Sequence, residues 1–436
     1  MAFSLAFHII FAVIGVAMPL LMVIAERLYQ KSDDPEYLEL AKRWSRGAAI
    51  MFAVGAVTGT VLSFELGLLW PGFMAYAGPI IGMPFSLEGF AFFFEAIFLG
   101  IYLYGWDRVS PRAHLGAGIM VLVSGSASAI FVVCANGWMN TPTGYTMVGG
   151  ELISVDIWAA MWNPAALVEG LHMLTASFAA VGFAVAGVHA AMLLRGARRS
   201  FHRRALAIAL SVGGVAAFLS PVTGDIAAQQ VAKMQPLKLA AMEGQWEDEV
   251  GASLRIGGLP DEHDEVTRYA IEIPYALSLL ATHDANAEIR GIKSFPKDER
   301  PPIAITHIAF QIMVACGSLM MLLAGIAGVQ RLRGRSLADQ PRLLRALVLA
   351  APLGMIAIEA GWTVTEVGRQ PWVIYGVMRT ADALTPMPGL LVPFSAFLLL
   401  YGVLGVVVVV LLRRQVFAAE PGPDVVDATQ EARHDA

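Results

Sequence analysis

Apolar residues fall along the chain in long runs separated by shorter polar stretches, and nine of these runs are long enough to matter: 2–25, 47–70, 85–104, 118–138, 165–194, 204–221, 303–330, 343–367 and 389–412. At a rise of 1.5 Å per residue, about twenty apolar residues cross the hydrocarbon core of a bilayer. Barrel strands would be roughly ten residues long and alternating, so the run lengths predict helices. The expected fold is an all-α integral membrane protein with about nine transmembrane helices. The first run is long enough to stay in the membrane, which removes the need for a cleavable signal peptide. The third and eighth runs are the least regular because each contains carboxylates.

Cationic residues between the runs set the orientation. The first connection holds Arg27, Lys31, Lys42, Arg43 and Arg46, and the third holds Arg108 and Arg112. The fifth holds Arg195, Arg198, Arg199, Arg203 and Arg204, and the seventh Arg331, Arg333, Arg335, Arg342 and Arg345. The second and fourth connections, 71–84 and 139–164, have no Lys or Arg, and the eighth has only Arg369 and Arg379. The odd connections are therefore expected in the cytoplasm, with the N-terminus outside and the C-terminus inside. Residues 222–302 form an unusually long connection on the outer side and hold about a third of the chain's charged side chains. A loop of that length usually carries function. Residues 1–414 read as a single transmembrane domain, and 415–436 as an unstructured cytoplasmic tail.

Composition agrees: 57% of residues are hydrophobic and only 15% charged, against about a quarter charged in a soluble domain. Disorder, a coiled coil and a nucleic-acid binder are excluded. The net charge of −5 is spread over 436 residues and identifies no partner. Cys134 and Cys316 both lie in apolar runs, so neither a disulfide framework nor a cysteine metal site is expected.

Ionisable side chains inside the runs are costly in lipid and therefore point to function. Counted from the outer ends, His8 lies roughly 9 Å deep, His172 roughly 10 Å, Met313 roughly 15 Å, and Glu88 and Glu95 roughly 5 and 15 Å. Glu366 sits at the outer end of the eighth run, with Glu359 one to two turns deeper. All of them fall in the outer half. Glu88 and Glu95 share a helix face, as do Glu359 and Glu366, and Trp362, Glu366 and Arg369 lie along one stripe. A neutral imidazole and a thioether form the usual axial pair of a low-spin haem of raised potential. A carboxylate facing a buried cofactor suggests a five-coordinate iron or a proton relay. His189 and His307, near run ends, read as helix–helix hydrogen-bond partners. Met313 is one of 20 methionines and on its own reads as packing. The residues alone indicate a redox or proton-handling site without naming a cofactor.

Several stretches carry a more specific signal: AFHIIF (6–11), EGFAFFFEAIFLGIYLYGWDR (88–108), ANGWMNTP (135–142), GD (224–225), KLAAMEGQW (238–246), FQIMV (310–314) and EAGWTVTEVGRQPW (359–372). In this order they resemble the large subunit of the cytochrome bd family of quinol oxidases. The resemblance implies that His172 and Met313 are the axial ligands of a low-spin haem b. His8 resembles the ligand of one high-spin haem and Glu366 that of the other, with a second haem b and a third haem, d-type or b-type, between them. Trp362 resembles an aromatic residue placed among the haems, and Arg369 a haem-propionate partner. Lys238 and Glu243 resemble a pair used in quinol binding and oxidation, and Glu88, Glu95 and Ser128 residues lining proton access. Gln311 stands where some members have arginine, the long loop is of the short variety, and the 88–108 stretch resembles the cyanide-insensitive branch.

The function implied is a bacterial inner-membrane oxidase. Quinol is oxidised at the outer loop, O2 is reduced to water, and charge separation without pumping conserves the energy. A second membrane subunit is expected as partner, often with a small single-helix subunit. Only Tyr102 and Tyr104 are polar between Ala96 and Gly105, so another helix or that partner must line the proton route to Glu95. The competing reading, a cofactor-free proton-coupled transporter, predicts inverted repeats and broken helices; no internal repeat is found, and the polar residues crowd toward one surface.

Overall fold

The computed structural model describes residues 1–148 and 151–417. Among them, nine helical segments are long and apolar enough to cross a membrane. They are α1 (Ala2–Ser32), α2 (Pro35–Leu69), α3 (Pro71–Tyr104), α4 (Pro111–Asn140), α6 (Ala166–Leu194), α7 (Arg199–Met234), α10 (Ile303–Leu332), the pair α11 (Pro341–Ala350) and α12 (Leu353–Val367), and α13 (Leu391–Leu412). Three short helices, α5 (Ile157–Met161), α8 (Pro236–Glu243) and α9 (Ala276–Thr282), lie in the connections. Residues 418–436 of the expected tail lie outside the described residues.

Several helices outrun their apolar stretches. α1 and α2 are joined only by Asp33, in the left-handed region, and Asp34, whose side chain accepts from Glu36 N. The charged first connection is therefore helix, supported by Arg43–Glu39 at 2.7 Å one turn apart. Arg198–Glu39 at 2.9 Å and Arg204–Glu36 tie the start of α7 to it. The second connection, expected as a loop over 71–84, is also helix. Pro71 occupies the first turn of α3, where its missing N–H costs nothing. Phe73, Ala77, Ile80 and Ile81 then pack beside Ala135, Trp138 and Ile374 and cover the end of α4. The long loop starts later than expected, because α7 continues through Pro221 to Met234. The loop proper begins at Gln235. It is built from α8, α9, short 3-10 turns and strand pairs such as Leu254–Ile256 with Ile271–Ile273.

The eighth run is not one helix. It breaks at Ala351 and Pro352, between α11 and α12. Both halves lie against α6 at backbone distance: a Cβ on Gly187 would stand 2.8 Å from Leu347 O of α11, and one on Gly354 would stand 2.2 Å from Ala180 Cα. α6 and α7 meet in the same way, since a Cβ on Gly182 would lie 2.4 Å from Gly213 Cα. In lipid the hydrophobic effect does not drive helices together, so small residues that permit close backbone contact carry the association.

Gly182→Ala is expected to destabilise this junction by about 1–3 kcal/mol through overpacking, read as a lower unfolding midpoint of the detergent-purified protein. Gly89→Ala, where nothing lies within 4 Å of the added carbon, serves as control. Equal midpoints for the two variants would contradict the contact.

Candidate functional site

Four elements converge at one end of the bundle: the last turn of α4, the first of α6, the helix α8 and the end of α12. Asn140 joins them. Its Oδ1 accepts from Lys238 Nζ at 2.9 Å and from Arg369 at 3.3 Å. Its Nδ2 donates to Asn136 Oδ1 at 3.1 Å and to Glu169 Oε1 at 3.2 Å, and its backbone oxygen accepts from Gln235 at 2.6 Å. Glu366 lies in the same network, taking Asn136 Nδ2 on one oxygen and Arg369 on the other, both at 2.6 Å. Lys238 and Arg369 are buried. Burial, and next to it the Arg369 guanidinium, push the Lys238 ammonium below the usual lysine range, while Glu169 and Glu366 oppose the shift.

The structure separates Lys238 from Glu243. Five residues apart on α8, they point about 140° away from each other. Lys238 turns down into the Asn140 network. Glu243 turns toward the loop, where its Oε2 is buried without a partner. Burial raises the Glu243 carboxyl to about 8, against the opposing pull of Arg255. Neither side chain is on a solvated surface. His307, expected as a helix–helix hydrogen-bond partner, joins α10 to α8 and also pins the loop beyond it: its Nδ1 faces Met242 O at 2.8 Å and its Nε2 faces Gly257 O at 3.0 Å. Gln311, one turn on, accepts from Gly257 N and donates to Arg255 O, both at 2.9 Å. The loop is thus stapled to α10 just above Met313.

His8 and His172 sit on neighbouring-helix threonines. His8 Nδ1 is 2.8 Å from Thr58 Oγ1, and His172 Nδ1 is 3.1 Å from Thr223 Oγ1. Met313 lies against α12, where a Cβ on Gly361 would stand 2.8 Å from its sulfur. Glu88 accepts from Ser128 at 3.3 Å. The Glu95 carboxyl is buried between α4 and α1, with a Cβ on Gly125 at 3.2 Å and on Gly15 at 3.8 Å. At the other end of α3, His114 of α4 meets Glu26 of α1 at 3.0 Å. α1 and α4 thus place ionisable groups beside the stretch of α3 that has so few of its own. His189 bonds His202 of the next helix at 2.8 Å. Sequence reasoning missed Glu169, Asn136 and Asn140. Glu169 stands one turn before His172, and the two asparagines are spaced i, i+4 within ANGWMN, so helical periodicity applied to polar rather than apolar positions would have found them.

Asn140→Leu keeps the side chain's bulk and removes its acceptor and donors. It is expected to cost at least about 3 kcal/mol, because buried charged groups lose partners. An unfolding midpoint equal to that of the unaltered protein would show that the network does not depend on this amide.

Comparison with known proteins bears on the whole chain. Residues 1–420 match the family model for cytochrome bd terminal oxidase subunit I. A Bacillus subtilis (strain 168) protein assigned as a cytochrome bd menaquinol oxidase subunit I is 40% identical over 413 residues, covering 94% of this chain and 93% of that one. A cytochrome bd ubiquinol oxidase subunit 1 from the same organism is 32% identical over 424 residues, covering 94% and 90%. A chain in the structure of the bd oxidase from Geobacillus thermodenitrificans superposes with a TM-score of 0.91 at 41% identity, over 96% of this chain and 97% of that one. The chain belongs to the cytochrome bd terminal oxidase subunit I family.

Proposed function

We propose that this subunit I, working with a subunit II in a bacterial inner membrane, oxidises quinol at the 235–302 loop on the outer face and delivers protons to an oxygen-reducing site from the cytoplasmic side. The observation that carries this reading is the convergence of the loop helix α8 with the ends of α4, α6 and α12 on one charged network. A loop anchored in this way would bring a quinol headgroup beside the helices that bear His172 and Glu366. The same convergence disfavours a transporter, whose site would lie at the midplane.

The donor set fits haem. His172 and Met313 would hold a low-spin haem b, His8 and Glu366 the two high-spin haems, and Arg369 a propionate. When bound, these haems supply one-electron transfer and the reduction of O2. The protein's own groups do the rest. Glu366 is oriented on both oxygens, by Asn136 and Arg369, as a ligating carboxylate requires. Glu243, with one oxygen unpartnered, takes a quinol proton on the loop side of α8. Lys238, on the other side, donates to Asn140 and ties the loop to the network. Glu88, donated to by Ser128, and Glu95, buried between α4 and α1, hold protons for the oxygen-reducing site.

The spectrum is the first test. His172→Ala or Met313→Leu is expected to remove the low-spin reduced band of the purified oxidase and to spare the high-spin bands. A spectrum unchanged in both variants would refute the ligand assignment.

The second test is pH. Glu243 keeps its proton below about 8 and must be ionised to accept another, so the quinol-oxidation rate should rise as pH increases through about 8. Glu243→Gln should abolish that limb while leaving oxygen reduction by an artificial electron donor in place. If the limb persists in Glu243→Gln, another group accepts the proton.

A further inference from the structure

His8 and His172 are held by the same construction on two separate helix pairs. Each histidine sits on the first helix of its pair, α1 or α6, and turns Nδ1 to a threonine on the second, α2 or α7. In both pairs the next residue is glycine, and the ring lies over it. A Cβ on Gly59 would stand 3.2 Å from His8 Cε1, and a Cβ on Gly224 would stand 3.1 Å from His172 Cε1.

The hydrogen bonds around each threonine decide its role, because a hydroxyl has one hydrogen. Thr58 donates to Val54 O at 2.9 Å, with Gly55 O at 3.1 Å as the second choice. Thr223 has Ser220 O at 3.1 Å and Thr175 Oγ1 at 3.0 Å. The hydrogen of Thr175 has its own acceptor, His172 O at 2.9 Å. Each threonine hydrogen thus has an acceptor along its own helix or on a neighbour, which leaves each Oγ1 able to accept from the ring. In that arrangement Nδ1 carries the hydrogen and Nε2 keeps the lone pair. The hydrogen bond of each ring to its threonine is made through Nδ1, and the His172 ring also bonds the Ser220 backbone.

We propose that Thr58 and Thr223 are positioning residues for iron binding: each fixes its histidine in the Nδ1–H tautomer and, with the glycine that follows, sets the ring plane that presents Nε2 to a haem iron. The inference rests on the reading of His8 and His172 as axial ligands. An acceptor on the far nitrogen also makes a histidine a stronger donor to its metal, and a stronger donor favours the oxidised iron. The reverse arrangement, threonine donating to Nδ1, would put the hydrogen on Nε2 and close it to a metal. Removing the hydroxyl would then improve binding instead of weakening it.

The test uses the purified oxidase with Thr58→Val and Thr223→Val, each alone, read by haem content and by redox titration of the visible bands. Thr223→Val should lower occupancy of the low-spin haem by on the order of 10-fold under limiting haem, move the midpoint of the remainder upward, and spare the high-spin bands. Thr58→Val should alter a high-spin band and spare the low-spin one. Thr58→Ser and Thr223→Ser, which keep the acceptor, should restore haem content and midpoint. Unchanged content and midpoint in both valine variants would overturn the inference, and so would tighter haem retention or loss of all bands together. His8→Ala and His172→Ala separate the two levels of the argument. If either keeps its band, the ligand reading has failed. If both lose their bands while the valine variants do not change, only the role given to the threonines has failed.

Discussion

Moving a charge from water into a helix bundle costs several kcal/mol unless a partner moves with it, and the functional end of this bundle gathers four charges from three elements. Glu169 comes from α6, Lys238 from α8, and Glu366 and Arg369 from the end of α12. No two of these elements are adjacent in sequence, so the charges can be satisfied only if the elements arrive together. Asn140 makes that possible because a side-chain amide both accepts and donates. Its oxygen serves the two cations and its nitrogen serves Asn136 and one of the carboxylates. The long loop is thereby fastened to the membrane helices by a polar contact that has no alternative partner in lipid.

The close helix contacts serve the same end. Gly182 on Gly213 and Gly354 on Ala180 bring α6, α7 and α12 to backbone distance, and Glu169 of α6 and Glu366 of α12 lie on two of these helices. Packing of this kind has little freedom to slide, because any displacement pushes backbone against backbone. The break at Ala351 and Pro352 belongs to the same arrangement. It divides the eighth span into two helices, α11 and α12, both of which rest on α6.

What could be read from the sequence, and what could not, follows from the kind of signal involved. The spans were legible because lipid requires long apolar runs, and nine were found among the described residues where nine were expected. Their ends were not. Hydropathy stops at the membrane surface, whereas helix formation depends on local hydrogen bonding, so α1, α2, α3 and α7 all continue past their runs. The expected connection at 71–84 and the expected end of the sixth run at 221 both fall inside helices, and α3 and α7 accommodate the prolines there. The ionisable residues in the runs were conspicuous because lipid makes each one expensive. Asn136, Asn140, Thr58 and Thr223 were not, being uncharged and common. The repeated histidine–threonine–glycine construction is invisible to a search for sequence repeats: it consists of three residues spread over two helices, with no similarity around them.

The division of labour across α8 follows from geometry as simple as the helical repeat. A quinol gives up two electrons and two protons, and the two products must leave in different directions if charge is to be separated across a membrane. Lys238 and Glu243 are on opposite faces of one short helix. The first is buried in the network that reaches Glu366, and the second is buried toward the loop with an oxygen still available. Under the proposed function, a quinol lodged against α8 would meet the Lys238–Asn140–Arg369 network on one side and the Glu243 carboxyl on the other. Had the two residues been four apart instead of five, they would share a face and could neutralise each other as an ordinary ion pair. The extra residue keeps them apart, and the C-terminal end of α8 is closed by Gly244 at φ +63° under His307, so the spacing cannot relax by unwinding the last turn without breaking that cap.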